Sequence, residues 1–496
     1  MNIAMLLQMA ADACPDRKAL TSGHLHFTYK EVLEAAAKAA VLIRNSGCRY
    51  VALLDVSSPA APVALMGAAM AGVPYVPLNY RLTHEQLDGL LSRIEPALII
   101  TDPVLPTLEV SGGSIVKRRP DFLQEVEQVT AADVSWPEDP GLVAVQLFTS
   151  GTTGTPKAAI LRHEHITSYI LGSVEFMSAA EGDSALVTVP PYHIAGISAV
   201  LSGIYSCRRI VQLPDFGAAI WLNLCKRENV TNAFVVPTML SRIVDHIGSI
   251  DGKPELPSLR AIAYGGGRMP VPVIERALEI FEGVDFTNAY GLTETSSTIA
   301  LLGPEDHRAA FASHDPLVRE RLGSVGRPLP SVELEIRNEA GKVLGPGQSG
   351  EIYVRGPQVS GEYLERNACG ADGWFPTRDA GYLDDDGYLF LSGRADDVIV
   401  RGGENISPAE IEDVLREHPA VADVAALGIP SDEWGETVGT VVVLRPGEEE
   451  QPAELRHFVK ARLRSSREPE SIVFIPELPY NEMGKLLRRE LRALFA

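Results

Sequence analysis

The chain has 496 residues, 45% hydrophobic and 22% charged, an ordinary composition for a folded globular protein with room for roughly two to four domains. Acidic residues number 65 against 44 basic ones, a formal charge of −21, which excludes a protein that coats nucleic acid or an anionic membrane through a basic face. Cys14, Cys48, Cys207, Cys225 and Cys369 are odd in number and widely spaced. That argues against a disulfide framework or zinc knuckle and for a reducing, cytoplasmic setting.

The N-terminal stretch has no basic n-region, and its apolar residues fall at helical spacing. Val51–Leu54 reads as a strand, Ala60–Ala71 as a helix of small residues and Tyr75–Pro77 as a short extended piece. Thr83 caps a helix that carries Glu85, Leu87, Leu90 and Leu91, and Ala97–Thr101 is again a strand. Two uncharged runs, Val56–Tyr80 and Ser184–Cys207, contain paired prolines (Pro59 and Pro62, Pro74 and Pro77, Pro190 and Pro191). They read as buried strand–helix–strand pieces rather than membrane spans. Leu186–Val189, Ile210–Leu213, Ala233–Val236 and Ala261–Tyr264 are strand-like, separated by helical Ile220–Glu228, Thr238–Ile247 and Val271–Phe281. Such alternation predicts an α/β fold of parallel-rich sheets covered by helices.

After Gly323 turn signals become dense, with alternating strands at Glu333–Arg337, Glu351–Arg355 and Tyr388–Leu391, as in a meander or small β-barrel-like subdomain. From Ser407 helix and strand alternate once more, predicting a small separate domain. The junction is placed in Gly393–Asp397, giving a large part at 1–393, a link at 394–397 and a small α+β part at 398–496.

The most informative stretch is Thr149-Ser150-Gly151-Thr152-Thr153-Gly154-Thr155-Pro156-Lys157, which follows the apolar run Leu142–Phe148. Its glycines let backbone N–H groups converge on an anion, its hydroxyls add donors and Lys157 adds a point charge. It is not the kinase and GTPase P-loop, which needs four residues between its glycines and a Ser or Thr after the lysine.

This stretch resembles the phosphate-binding signature of the acyl-adenylate-forming superfamily: acyl-CoA synthetases, peptide-synthetase adenylation domains and beetle luciferases. Further segments match in order. Pro190-Pro191-Tyr192-His193 resembles the gate motif beside the acyl site, and Tyr264-Gly265-Gly266-Gly267 the adenine-cradling segment. Asn288-Ala289-Tyr290-Gly291-Leu292-Thr293-Glu294 resembles the adenine and metal motif, and Thr377-Arg378-Asp379 the ribose-binding segment. Gly393–Asp397 resembles the hinge, and Asn481-Glu482-Met483-Gly484-Lys485 the C-terminal lysine motif.

The resemblance implies ATP-dependent activation of a carboxylic acid through an acyl-AMP, then thioester formation with coenzyme A. Thr149–Lys157 would hold the β- and γ-phosphates. Glu294 would ligate Mg²⁺, Thr293 beside it would serve the ATP site, and Lys485 would reach the carboxylate and α-phosphate. Asp379 and Arg394 would take the ribose, while Gly265, Gly266, Asn288, Ala289, Tyr290 and Gly291 would surround adenine. Asp396 matches the hinge about which a mobile small domain turns, and Gly402, Gly403 and Glu404 match the thiol channel.

The acyl walls are expected at His193, Ile197, Phe234, Val236, Gly265 and Gly291. His193 is otherwise a satisfied core histidine. The residues after it, Ile194, Ala195 and Gly196, offer no carboxylate for an ammonium group, which disfavours an α-amino acid. Gly291, where acetyl-specific relatives have a bulky aromatic, leaves room for a longer acid. A medium- or long-chain fatty acid is the first expectation and an aryl acid the second. Departures occur at Ala158, at Ser466-Arg467 where a Tyr-Lys pair is usual, and at Tyr480 where Arg is usual. The last two lie where the thiol donor's phosphates would pass, so an acyl carrier protein is an alternative acceptor. A non-catalytic nucleotide scaffold is disfavoured, because Lys157, Glu294, Asp379 and Lys485 are all present.

Overall fold

A computed structural model describes residues 1–105, 108, 110–130, 132–149, 156–249, 255–394, 397–401, 404–431, 433–480 and 486–495. Among these residues the strands form four sheets.

The largest has nine strands, six of them parallel and adjacent: Asp285–Leu292, Ala261–Gly265, Asn232–Val235, Ser184–Val187, Arg209–Gln212 and Lys18–Ser22. Antiparallel strands flank this block, Ser297–Leu302 at one side and Leu25–Thr28 at the other. An eight-stranded sheet is parallel from Val143–Thr149 through Tyr75–Pro77, Tyr50–Leu54 and Ala97–Thr101 to Ile115–Arg118. Its other half is antiparallel and starts with Lys157–Arg162. The parallel strands are continuous apolar runs because helices cover both faces.

Ala60–Ala71 is buried on every side, as an all-apolar helix must be. Gly67 lets it approach the helix Tyr29–Ser46, since a Cβ there would lie 2.8 Å from Ala39 Cβ. Both uncharged runs resolve as expected, into Ala60–Ala71 with Tyr75–Pro77 and into Ser184–Val187 with helix Ile194–Tyr205. Among the described residues no helix is long and apolar enough to cross a membrane. All five cysteines are free thiols.

The turn-dense region forms a four-stranded antiparallel sheet, Glu333–Arg337, Gly350–Arg355, Phe375–Leu383 and Leu389–Arg394. Sheet membership then changes: Ile399–Arg401 belongs to a last sheet with Gly435–Leu444, Val421–Ser431 and Ser471–Phe474. This sheet has its own core, with Ile411, Leu415, Val424, Val442 and Leu455 buried. Contacts back to the larger part include the Arg268–Asp413 ion pair and Ser407 Oγ donating to the Ser392 carbonyl at 2.9 Å.

Candidate active site

A cavity of about 1600 Å³ runs along one face of the nine-stranded sheet. Its floor comes from alternate residues of neighbouring strands, including Ala185, Asn232, Ala261, Ala263, Thr287 and Ala289. Successive strand residues point to opposite faces, so period-two positions share this one. Tyr169 and Ser173 of helix His163–Ser173, with Ser198 and Ser202 of helix Ile194–Tyr205, form the opposite wall. The sequence reading placed helices and strands here but not the gap between them.

At one end the cavity meets the phosphate-loop hairpin. Thr149 and Lys157 pair across strands Val143–Thr149 and Lys157–Arg162, and both line it. Ser150, Gly151, Thr152, Thr153, Gly154 and Thr155 lie outside the described residues. Lys157 Nζ stands 5.7 Å from the Tyr363 ring centre. The hydroxyl of Tyr363 donates to Glu294 Oε1 at 2.5 Å, and Glu294 is only 9% exposed. Glu294 sits in the tight turn Thr293–Thr295, whose backbone is fixed by Ser360 and Gly361 N–H groups donating to the Glu294 carbonyl. Sequence reasoning missed Tyr363, which has no motif spacing to mark it.

Asp379 and Arg394 face each other on adjacent strands, with Arg394 Nη1 3.1 Å from Asp379 Oδ1. Tyr290 donates its hydroxyl to Asp379 Oδ2 at 2.7 Å, and Thr377 Oγ1 accepts from the Asp379 N–H. Thr377 and Arg394 line the cavity.

Several expected site residues are placed elsewhere. Strand Asp285–Leu292 alternates Thr287, Ala289 and Gly291 toward the cavity. Asn288 and Tyr290 therefore take the other face. Asn288 Nδ2 donates to the Ser324 carbonyl at 3.0 Å, and the Tyr290 ring packs in the core of the antiparallel subdomain. Gly265 is small for a different reason than expected: a Cβ would lie 2.2 Å from the Ala289 carbonyl oxygen, while Gly266 lines the cavity. Ile197 and Val236 are buried and do not line it, whereas His193 and Phe234 do. Gly291 lines it, but a Cβ there would lie 1.8 Å from the Ser297 carbonyl oxygen, so the backbone forbids a side chain whatever the acid.

His193 begins helix Ile194–Tyr205, and its Nε2 is sealed from solvent without a hydrogen-bond partner. It is thus not a satisfied core histidine. Burial, with the charge of Arg81, pushes it down to about 4, so the ring is neutral at pH 7. The far end of the cavity reaches Arg208, which sequence reasoning also missed.

The C-terminal part contributes Leu486, Arg488 and Arg492 to the lining. Lys485, Asp396, Gly402 and Gly403 lie outside the described residues. The Glu404 carboxylate is paired with Arg467, which also reaches Glu410 at 3.3 Å. Tyr480 donates to Asp423 at 2.6 Å.

A deep cavity spanning a phosphate-loop hairpin, a buried carboxylate and an orphaned gate histidine is the architecture of an acid-activating enzyme. The AMP-binding enzyme family matches residues 7–364, and its C-terminal domain matches 410–485. A 2-succinylbenzoate–CoA ligase of Bacillus licheniformis is 33% identical, covering 98% of each chain. The fatty acid–[acyl-carrier-protein] ligase ScoC of Streptomyces coeruleorubidus is 33% identical over 87% of this chain and 84% of its own. The o-succinylbenzoate CoA synthetase MenE of Bacillus subtilis, solved with its acyl-adenylate, is 30% identical with a TM-score of 0.85, covering 98% of this chain and 97% of that one. The same protein solved with ATP and a magnesium ion is 31% identical with a TM-score of 0.84, covering 98% of each. The chain belongs to the AMP-binding enzymes, within the acyl-adenylate-forming superfamily, and is an AMP-forming acid–thiol ligase.

Proposed function

We propose that this ligase activates an aryl acid, of the kind 2-succinylbenzoate represents, and passes it to coenzyme A. The observation that carries the reading is the cavity wall. Tyr169, Ser173, Ser198, Ser202, Asn232 and Thr287 interrupt the alanines of the gallery. Tyr169, Ser173 and Ser198 already have hydrogen-bond partners within the protein, but a plain alkyl chain would strip water from the Ser202 and Thr287 hydroxyls and the Asn232 amide without replacing it, at roughly 1–3 kcal/mol for each one left unpaired. An acid with keto or carboxyl substituents satisfies them. The fatty acid expected from sequence gives way on this ground, and the 2-succinylbenzoate ligases among the relatives favour the same choice.

ATP, Mg²⁺ and coenzyme A are the ligase's co-substrates and metal. Among the described residues no three His, Cys, Asp or Glu side chains cluster to cage an ion. Mg²⁺ needs no cage, since it keeps waters and phosphate oxygens and takes one or two carboxylates. Glu294, buried and oriented by Tyr363, fits that need. The ion, when bound, offsets charge on the phosphates.

The chain's own groups do the positioning. Lys157 and the Thr149–Thr155 loop hold the leaving phosphates, and Thr293 and Glu294 stand beside them. Asp379 takes the ribose hydroxyls, held by Tyr290 and Arg394. Neutral His193 faces the acid with a free ring nitrogen and adds no charge that would hold the carboxylate back from phosphorus. Such preorganised charge placement is the main term in this chemistry. Lys485 completes adenylation. The part at 398–496 then turns about 394–397, with Asp396 as pivot, to admit the thiol past Gly402, Gly403 and Glu404.

The test is Lys485→Ala. Adenylation, read by acid-dependent ATP–pyrophosphate exchange, falls ~10²–10³-fold. Thioester formation from preformed acyl-AMP stays within a few-fold. Equal loss in both half-reactions rejects the assignment.

A carrier protein is the second reading. Arg467 is engaged by Glu404 and Glu410, and a tyrosine bonded to Asp423 occupies position 480, so neither offers a free cation to a nucleotide phosphate. The carrier-protein ligase among the relatives agrees with this. Turnover of free coenzyme A far above that of a holo-carrier protein rejects it.

A further inference from the structure

A second, shorter hairpin borders the cavity beside the phosphate-loop hairpin. Glu362–Tyr363 and Arg366–Asn367 pair antiparallel around Leu364 and Glu365, and Tyr363 pairs in turn with Ala159 of strand Lys157–Arg162. The Leu364 N–H donates to the Ala158 carbonyl at 2.8 Å. The hairpin has three charged side chains, and both acids fasten it. Glu362 accepts from the Arg162 guanidinium at both oxygens, at 2.8 and 2.7 Å. Glu365 is paired with Arg93, whose Nη1 donates to the Pro156 carbonyl at 2.7 Å and whose guanidinium carbon lies 4.9 Å from the Phe148 ring centre. Arg93 thus ties the short hairpin to residues on both sides of the phosphate loop.

The third charged residue, Arg366, fastens nothing. It is exposed and lines the cavity with Tyr363 and Asn367, and among the described residues no carboxylate pairs with it, although the chain carries a formal charge of −21. Its guanidinium carbon is 6.0 Å from the Tyr363 ring centre, and Lys157 Nζ is 5.7 Å from the same point. Burial and Glu294 hold the Tyr363 hydroxyl above the usual tyrosine range, and the charges of Arg366 and Arg394 oppose them, so Arg366 is felt at the Tyr363–Glu294 bond itself. Lys157 and Glu294 are the described charges assigned to the phosphates and the ion, and they cancel. An ATP triphosphate stays anionic after taking up Mg²⁺. An unpaired guanidinium turns the local balance positive, and its planar fork holds two phosphate oxygens where an ammonium is a point charge.

We infer that Arg366 is a second cation for the leaving pyrophosphate, working beside Lys157. This deepens the adenylation reading and rests on it. As a carboxylate oxygen bonds to the α-phosphorus, the bond from phosphorus to the bridging oxygen breaks, and its electron pair leaves on pyrophosphate. Charge therefore grows on the β-phosphate in the transition state, and a fixed cation there is worth more than in water. Arg366 meets that charge from a hairpin anchored to the flanks of the phosphate loop rather than from the loop. AMP and acyl-AMP carry neither the β- nor the γ-phosphate, so Arg366 serves the first half-reaction and not the second.

The experiment is titration calorimetry of the full chain with MgATP, with magnesium pyrophosphate and with AMP, which works whatever the acid is. Arg366→Gln should weaken MgATP and pyrophosphate at least tenfold each and leave AMP within twofold. Arg366→Lys, which keeps the charge but not the fork, should fall between Arg366→Gln and the wild type. Thermal melts of both variants identify a folding defect. If Arg366→Gln does not fold, Arg366→Lys carries the test and should lose affinity for the two phosphate ligands but not for AMP. Unchanged affinity for either phosphate ligand, or a loss shared equally by AMP, overturns the inference alone. A wild-type chain that does not bind MgATP overturns the adenylation reading, and this one with it.

Discussion

Tyr363 and Glu294 show how much one hydroxyl is asked to do. The carboxylate is almost fully buried, and the phenol donates to it at 2.5 Å. The partly exposed alternative would let Glu294 swing among rotamers each time an ion arrives. Tyr363→Phe keeps the ring beneath Lys157 and removes only this bond. A hydrogen bond to a charged group is worth about 1.5–3 kcal/mol, so exchange activity should fall about tenfold to hundredfold. A titration of activity against Mg²⁺ checks it: the half-saturating concentration should rise in the variant, which a general loss of stability would not produce. The motifs announced Glu294 because its neighbours are distinctive, but nothing in Ser360-Gly361-Glu362-Tyr363 announces its partner, which arrives from a two-residue strand 69 residues later. Gly291 teaches the converse. Its smallness was legible, but the cause lies in the close turn of strand Ser297–Leu302 beside it, which only the fold reveals.

At the scale of elements, helix Ala4–Ala13 is fastened to helix His163–Ser173 by His163, whose Nδ1 accepts the Ile3 N–H at 3.3 Å. That bond needs a neutral ring. Burial first, and the charge of the N-terminus second, push His163 from its ordinary 6.5 down to about 4. The sign follows: between those values the unfolded chain binds the extra proton, so stability is complete above pH ~6.5 and is lost as pH falls toward 4. The side chain is 1% exposed, and the full shift corresponds to about 3 kcal/mol. Denaturant unfolding at pH 7, 5.5 and 4.5 should show this loss, and His163→Gln should flatten the part of the slope that His163 carries. Element placement itself was largely readable. Glu333–Arg337 and Ala60–Ala71 match their sequence limits, and the helix expected at Val271–Phe281 spans Val271–Ile280. These segments have clear apolar period or turn boundaries. Asn288, Ala289, Tyr290 and Gly291 were all expected around adenine from the motif they form, and a motif marks a stretch rather than a face. On strand Asp285–Leu292 the buried Asn288 and Tyr290 alternate with Thr287 and Ala289, which line the cavity.

For the whole molecule, the contacts between the last sheet's part and the larger part include, among the described residues, two polar ones, Arg268 with Asp413 and Ser407 with Ser392. An exposed ion pair of this kind is worth ~0–1 kcal/mol, little resistance to a rotation. A variant with Arg268→Cys and Asp413→Cys, joined by a short bis-methanethiosulfonate spacer that replaces the reach of the arginine, should lock the arrangement in which Leu486 and Arg488 line the cavity. Pyrophosphate exchange should survive, thioester formation should fall at least tenfold, and a reductant should restore it. Thioester formation unaffected by the bridge would mean that the two parts need not separate.

The floor of the gallery has an implication for how such enzymes diverge. Its bore is cut by methyl groups and hydrogens on parallel strands, Ala261, Ala263 and Ala289 among them, rather than by surface loops. Loops drift freely over generations, but a strand locked between two neighbours does not. A lineage acquiring a new acid would therefore do so in quantised steps, one carbon of wall at a time, while its outer contour changed without effect on diet.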